Sequence, residues 1–142
     1  PLLNQWVLVS PHRTKRPWQG KNEDADLASR PDFDPQCYLC PGNTRANGEK
    51  NPAYKSTYVF ENDFAALVKS MPEVAPAEGK SLLKAEPVSG ECRVICFSSR
   101  HDLTLPELPV DQITEVVNLW CDQYQELSQK YRWVQILKIK GR

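Results

Sequence analysis

The chain has 142 residues, of which 40% are hydrophobic and 25% are charged, a length and composition that fit one globular domain with its own core. Eighteen Lys and Arg side chains balance eighteen Asp and Glu side chains, so no overall field favours nucleic acid or an anionic membrane. The sequence has no apolar run of roughly 18 residues that would predict a membrane span, and residues 1–5 do not resemble a signal peptide. Five cysteines, an odd number, favour reduced thiols or metal ligands over a complete disulfide set, so we expect a cytoplasmic protein.

Two kinds of hydrophobic periodicity predict the secondary structure. Strand patterns occupy residues 5–10, 57–61, 65–69, 81–88 and 91–98, and another begins at residue 133 and runs to 139. Turn-forming residues separate the central strands at short intervals, which favours antiparallel pairing. Apolar side chains recur at helical spacing from residue 110 to residue 131, and Asp111 lies where a carboxylate stabilises a helix N-terminus. The predicted fold class is α+β, an antiparallel sheet with one long helix packed across it.

Cys37 and Cys40 belong to the sharpest local motif, Cys-Tyr-Leu-Cys-Pro-Gly. A two-residue spacer in a tight turn lets both thiolates converge on one tetrahedral metal ion. Of the two histidines that could complete such a site, His101 is the better candidate, because it lies in a polar loop directly after the strand at 91–98. An ordinary surface histidine is the other interpretation, and the residue pattern leaves both open. A thioredoxin-like redox pair is disfavoured, since no helix pattern begins at Cys37.

The other three cysteines have patterns that are typical of packing. Cys92 and Cys96 share one face of a predicted strand, and Cys121 lies on the predicted helix. Free thiols often behave as small buried apolar groups. We therefore expect all three at or near the core.

A basic segment at residues 12–18 contains three cations and a tryptophan. It lies in a stretch, residues 11–35, whose charge and proline content predict an extended surface arm. Arginine side chains suit bidentate contact with phosphate oxygens, so the arm is a candidate for binding a phosphorylated substrate. A solvated basic loop explains the same residues, and the sequence leaves this alternative open.

Asn62 and Asp63 lie at a predicted turn between two strands. Their amide and carboxylate could bind ribose hydroxyls or a base edge, but both residue types also favour turns for local reasons. The pattern does not choose between these interpretations. The sequence contains no phosphate-binding glycine loop, no Gly-x-Ser-x-Gly motif and no His-x-His or His-Glu-x-x-His pattern, so no nucleophile with an adjacent base is evident.

The order of these motifs resembles that of the galactose-1-phosphate uridylyltransferase family. The matching succession comprises residues 6–13, Lys-Arg-Pro-Trp-Gln-Gly at 15–20, the Cys37 to Cys40 motif, Asn-Pro at 51–52, residues 57–64 and Thr-Leu-Pro at 104–106. No single motif is specific, but their succession at matching intervals spans nearly the whole chain. The resemblance therefore supports expectations that the individual motifs do not.

The resemblance implies a histidine-triad-like half-barrel, a homodimer, and uridylyl exchange between UDP-glucose and galactose 1-phosphate. The family mechanism is ping-pong, through a uridylyl-histidine intermediate formed at a His-Pro-His motif. Cys37, Cys40 and His101 match three ligands of the family's structural zinc, whose fourth ligand is the first histidine of that motif. Substrate contacts are implied for two groups of residues: Ala46, Asn62 and Asp63 in the uridine and ribose pocket, and Arg13, Thr14, Lys15 and Arg16 in an arm that reaches the partner subunit's active site.

The sequence departs from the family pattern after residue 136. It reads Leu-Lys-Ile-Lys-Gly-Arg where the family continues Phe-Glu-Asn-Lys-Gly towards His-Pro-His, and Ile139 replaces an asparagine that helps to hold the nucleotide. We therefore expect residues 1–142 to be the N-terminal portion of a uridylyltransferase catalytic domain that stops before the nucleophile. A catalytically inactive, metal-stabilised nucleotide-binding or dimerisation module is the alternative, and a relative acting on adenylyl groups is a third candidate.

Overall fold

The computed structural model describes residues 5–15, 30–70 and 84–138. Its regular elements are a 3-10 helix at Pro11–Lys15, strand β1 at Tyr58–Glu61, strand β2 at Arg93–Cys96, a 3-10 helix at Leu105–Glu107 and helix α1 at Val110–Ser128. The α+β class predicted from the sequence is confirmed in these ranges. Within them, no helix combines the length and the apolar character that crossing a bilayer requires.

Strands β1 and β2 pair antiparallel, as the predicted strands at 57–61 and 91–98 require. In the observed register Tyr58 lies opposite Cys96 and Glu61 lies opposite Arg93. Because side chains alternate between the faces of a strand, Tyr58 and Phe60 share one face while Glu61 points to the other. The buried apolar residues of the described ranges are Cys40, Phe60, Ala65, Cys96, Leu108 and Val116. Buried residues thus come from the cysteine turn, from both strands, and from helix α1 and the segment that leads into it.

Helix α1 confirms the predicted helix and ends three residues earlier than the periodicity indicated. Val116 is its fully buried residue. An ion-pair network joins the helix to β2, because the Arg93 guanidinium donates to Gln123 Oε1 at 2.7 Å and to both carboxylate oxygens of Glu126 at 2.7 and 2.9 Å. Its Nε donates to Glu91 Oε1 at 2.7 Å. Polar contacts thus attach the helix to the outer face of β2.

Several strand predictions are wrong. Residues 5–10, 65–69 and 133–138 lack regular secondary structure, and so do residues 84–88 of the predicted strand at 81–88. Residues 81–83 and 139 lie outside the described residues. Alternation favours an extended backbone, but a strand also needs a neighbour with a continuous ladder of backbone hydrogen bonds, and these segments join no sheet among the described residues. Trp6 in the first segment and Trp133 in the last are exposed instead of covered.

The expectation that the three non-motif cysteines lie at or near the core holds for Cys96 and Cys92 and is wrong for Cys121. Cys96 is buried, Cys92 is half-buried, and Cys121 is exposed on α1. Cys121 is exposed because it lies on the side of the helix away from the buried Val116. Burial raises the pKa of the Cys96 thiol, which therefore stays protonated and packs as an apolar group.

Candidate functional site

The structure brings Cys37, Cys40 and His101 together. The ligand atoms of all three lie within 4.8 Å of one another, and Cys40 Sγ is 3.5 Å from His101 Nδ1. Cys40 is buried, while Cys37 and His101 are half-buried. Two soft sulfur donors and an imidazole nitrogen form a donor set that suits zinc.

A tight turn presents the two thiols on the same side. The backbone N–H of Cys40 donates to the Cys37 carbonyl at 3.2 Å, and Gly42 leaves the turn with a φ of 76°, which glycine adopts without strain. The Asn43 side chain donates to the carbonyls of Asp34 and Cys37, at 2.8 Å each. These bonds hold the spacing of the two sulfur atoms before any metal binds.

The side chains of Asn51 and Tyr54 donate hydrogen bonds to the backbone carbonyls of the cysteine turn. Asn51 is 3% exposed, and its Nδ2 donates to the carbonyls of Tyr38 at 2.9 Å and Cys40 at 3.1 Å. The Tyr54 hydroxyl donates to the Leu39 carbonyl at 2.7 Å. Burial raises the pKa of Tyr54, so its hydroxyl remains a proton donor. The carbonyls of the turn are thus paired to side chains of the segment that follows it.

His101 lies beside two aspartates. Its backbone N–H donates to the Asp32 carbonyl at 2.9 Å, and its Nε2 lies 4.0 Å from Asp34 Oδ2, which is too far for a hydrogen bond. With Nδ1 directed at Cys40, the far nitrogen is on the side of the Asp34 carboxylate. Sequence reasoning missed Asp34, although its position three residues before Cys37 was a possible signal of a turn that folds back on the motif.

The three donors fit a tetrahedral zinc ion. Bonds of about 2.3 Å to sulfur and about 2.0 Å to nitrogen at a tetrahedral angle separate the two ligand atoms by about 3.5 Å, which agrees with the 3.5 Å between Cys40 Sγ and His101 Nδ1. Burial raises the pKa of the Cys40 thiol, and a divalent cation would offset this by favouring the thiolate. The arrangement can hold a metal through three protein ligands and leaves the fourth position for another group.

A hairpin-like loop at residues 43–51 follows the cysteine turn. Thr44 and Lys50 form an antiparallel bridge, and the Arg45 N–H donates to the Glu49 carbonyl at 2.7 Å. Gly48, with a φ of 89°, closes the loop. Ala46, one of the predicted pocket residues, is exposed at the tip of this loop.

The Asn62–Asp63 pair forms a turn at the end of β1. Asn62 Oδ1 accepts a hydrogen bond from the Phe64 N–H at 2.9 Å, so the turn-forming interpretation holds for this amide oxygen. The Asp63 side chain is 8% exposed, and its Oδ1 lies 3.4 Å from Arg45 Nε. The contact between Arg45 and Asp63 places the loop that carries Ala46 beside this turn. Arg45 itself was missed, because an arginine among polar loop residues gives no sequence signal of burial.

The basic arm begins beside the same turn. Ser10 Oγ donates to the Ala66 carbonyl at 2.6 Å, and His12 Nε2 lies 2.7 Å from the Ala65 carbonyl. Arg13 and Thr14 follow in the 3-10 helix and are exposed, and Lys15 is the last residue of that helix. Arg16 lies outside the described residues. The chain thus attaches the start of the arm to the loop that follows Asn62 and Asp63.

Comparisons with known proteins agree with the motif order. The family model described as "Galactose-1-phosphate uridyl transferase, N-terminal domain" matches residues 1–142. A galactose-1-phosphate uridylyltransferase of Haemophilus influenzae is 51% identical over 142 residues, covering 99% of this chain and 40% of the relative. A probable galactose-1-phosphate uridylyltransferase of Drosophila melanogaster is 52% identical over 141 residues, with the same coverage of both chains.

The similarity extends to a mammal at comparable strength. The galactose-1-phosphate uridylyltransferase of Rattus norvegicus is 47% identical over 141 residues, covering 99% of this chain and 37% of the relative. The chain spans about two fifths of the length of the curated relatives it matches. Because the family model matches from the first residue to the last, the chain belongs to the galactose-1-phosphate uridylyltransferase family.

Proposed function

We propose that residues 1–142 are the N-terminal portion of a catalytic domain that transfers a uridylyl group between UDP-glucose and galactose 1-phosphate. The observation that carries the proposal is the match of the whole chain to the N-terminal domain of this family, at 47–52% identity to relatives of that name. The chain covers about 40% of the first two relatives, so the proposal assigns the nucleophilic histidine to polypeptide outside this sequence.

The proposed chemistry has two displacements. A histidine nitrogen attacks the α-phosphorus of UDP-glucose, the bond from that phosphorus to the bridging oxygen breaks, and glucose 1-phosphate leaves with the bonding electrons. A phosphate oxygen of galactose 1-phosphate then attacks the same phosphorus, which gives UDP-galactose and restores the histidine. The task of the residues in this chain is to bind and orient the nucleotide for both steps.

We assign that task to the loop at residues 43–51, to the turn at the end of β1 and to the basic arm. Asn62 and Asp63 at the end of β1, with Ala46 on the neighbouring loop, would line the uridine and ribose pocket. The arm at residues 13–16 would place its cations on the phosphates and offset charge that develops during transfer. In the proposal two copies of the chain form a homodimer, and the arm of one serves the active site of the other.

Cys37, Cys40 and His101 would hold a structural zinc ion. When bound, zinc would supply a crosslink between the cysteine turn and the His101 loop, which are about 60 residues apart in sequence. The proposal further includes a half-barrel of the histidine-triad type, to which β1 and β2 would contribute. It keeps a cytoplasmic location, which the five free thiols support.

The test measures the intact mass of the protein, purified from its natural source, before and after brief incubation with UDP-glucose. We expect a mass increase of one uridylyl group, which disappears when galactose 1-phosphate is added. A protein that binds UDP but never acquires the group would instead support the inactive nucleotide-binding module. An adduct formed equally well from ADP-glucose would support the relative that acts on adenylyl groups.

A further inference from the structure

Arg45 is a buried arginine with four different neighbours. Its side chain is 5% exposed. Nη1 donates to the Tyr58 hydroxyl at 3.2 Å, and the guanidinium carbon lies 4.2 Å from the centroid of the Phe60 ring. Nη2 contacts the carboxylate of Glu49, and Nε faces Asp63 Oδ1 at 3.4 Å. The two Nη atoms and one ring face are therefore used by Tyr58, Glu49 and Phe60, whereas Nε is buried beside Asp63 without a hydrogen bond.

The aromatic partners of Arg45 fix its position. Tyr58 and Phe60 lie on one face of β1 and stack with ring centroids 5.5 Å apart, and Tyr54 stacks on Tyr58 at 5.2 Å. Tyr54 in turn is bonded to the cysteine turn. A planar guanidinium group that packs on an aromatic ring is well ordered. Arg45 is thus held by a column of rings that begins at the metal-binding turn.

The two carboxylates that contact Arg45 differ in exposure. The Glu49 side chain is 68% exposed, so water can solvate it and its pairing contributes little. The Asp63 side chain is 8% exposed, and a carboxylate so far removed from water is costly unless a cation accompanies it. Arg45 is the cation nearest to Asp63 among the described ion pairs.

The geometry of the pair leaves acceptor sites free on Asp63. A separation of 3.4 Å from Nε is longer than a good N–H···O hydrogen bond. The cation therefore balances the charge of the carboxylate from a fixed position without a hydrogen bond to it, and the carboxylate lone pairs remain able to accept hydroxyl protons. The neighbouring Asn62 has its amide oxygen committed to the turn. Asp63 is thus the acceptor at this turn that a ligand hydroxyl can use.

We infer that Arg45 is a positioning residue for ribose recognition: it holds the Asp63 carboxylate in place, where it can accept from the ribose hydroxyls of the uridine nucleotide. This inference rests on the proposed function, since it assumes that Asp63 meets the ribose. Arg45 acts through Asp63 and need not touch the nucleotide itself. The consequence is that Arg45 controls the preference for ribose over deoxyribose, rather than overall affinity.

The test uses calorimetry to compare the binding of UDP, 2′-deoxy-UDP and 3′-deoxy-UDP to the protein at the chain length it has in its natural source. We expect the wild type to prefer UDP over at least one deoxy analogue by about 10- to 100-fold, the range for a hydrogen bond to a charged group. Arg45→Met and Arg45→Lys should reduce this ratio to a few-fold while binding of the deoxy analogue changes little. In an Asp63→Asn background, Arg45→Met should have no further effect on the ratio.

Arg93→Met is the matched control, because Arg93 is a poorly exposed arginine that belongs to a different ion-pair network on the opposite face of the strand pair. It should lower the melting temperature and leave the ratio unchanged. An Arg45 variant that weakens all three ligands equally, or that keeps the wild-type ratio, would overturn the inference and leave the proposed function intact. A wild type that binds none of the three nucleotides would overturn the proposed function itself.

Discussion

Replacing Cys40 with alanine is expected to remove stable metal binding. Cys40 is 4% exposed, the only buried member of the group, and its Sγ lies 3.5 Å from His101 Nδ1. Structural zinc contributes about 10–16 kcal/mol through four ligands, or about 3–4 kcal/mol for each. At about 1.4 kcal/mol per factor of ten, the loss of this thiolate should weaken zinc binding about 100- to 1000-fold.

The assay combines elemental analysis of the dialysed protein with thermal melting in the presence and absence of a chelator. A metal that binds the native state raises its stability, so the chelator should lower the melting temperature of the wild type. Cys40→Ala should melt at one temperature under both conditions. This comparison separates the loss of metal from the loss of packing, because a packing defect lowers both melting curves alike.

Cys121→Ser is the matched control, since Cys121 is an exposed thiol on α1 outside the metal-binding group. It should keep the zinc content and the chelator response of the wild type. A Cys40→Ala protein that retains one zinc ion per chain, with a melting temperature that still falls in chelator, would refute the assignment of Cys40 as a ligand.

Three further substitutions test the packing around the site. Arg93→Met should destabilise the fold by about 2–4 kcal/mol in denaturant unfolding, because it leaves the carboxylate of Glu91, 5% exposed, without its partner at 2.7 Å. The hydrogen bond from Arg93 lowers the pKa of Glu126. The stabilisation from this pair is present above the pKa of Glu126 in the unfolded chain and is lost as the pH falls through its pKa in the folded protein. The unfolding free energies of the wild type and of Arg93→Met should therefore converge below about pH 4. A constant difference down to that pH would contradict the pairing. Asn51→Ala removes two hydrogen bonds to the cysteine turn and should cost about 1–3 kcal/mol, measured by the same unfolding. Val116→Ala removes two buried methyl groups and should cost about 1–3 kcal/mol, whereas the same change at an exposed valine of α1 should cost little.

Local sequence patterns predicted the elements whose stabilising contacts are themselves local. The helix could be predicted because the spacing of its apolar residues is a property of one segment, and α1 begins at the predicted residue, Val110. The cysteine turn could be predicted for the same reason, since a two-residue spacer defines its shape. Alternation and flanking turn residues also predicted β1 and β2, but the same signals wrongly predicted a strand at residues 65–69.

The resemblance to a family supplied what no local pattern contained. Pattern reasoning left His101 open between a ligand and a surface histidine, and left Asn62 and Asp63 open between binding and turn formation. The resemblance implied a metal site for His101 and a nucleotide pocket for Asn62 and Asp63. The structure brings His101 to the cysteine turn and Asp63 to the loop beside it.

Tertiary structure alone decided which extended segments became strands and which polar residues became buried. Residues 5–10 and 133–138 carry strand-forming patterns, yet they remain irregular, because strand formation needs a partner that a segment does not specify. Arg45 and Asp34 lie among ordinary loop residues in sequence. Their roles appear only when chain folding brings a carboxylate to the guanidinium group and an imidazole to the carboxylate, since burial and ion pairing are properties of distant neighbours.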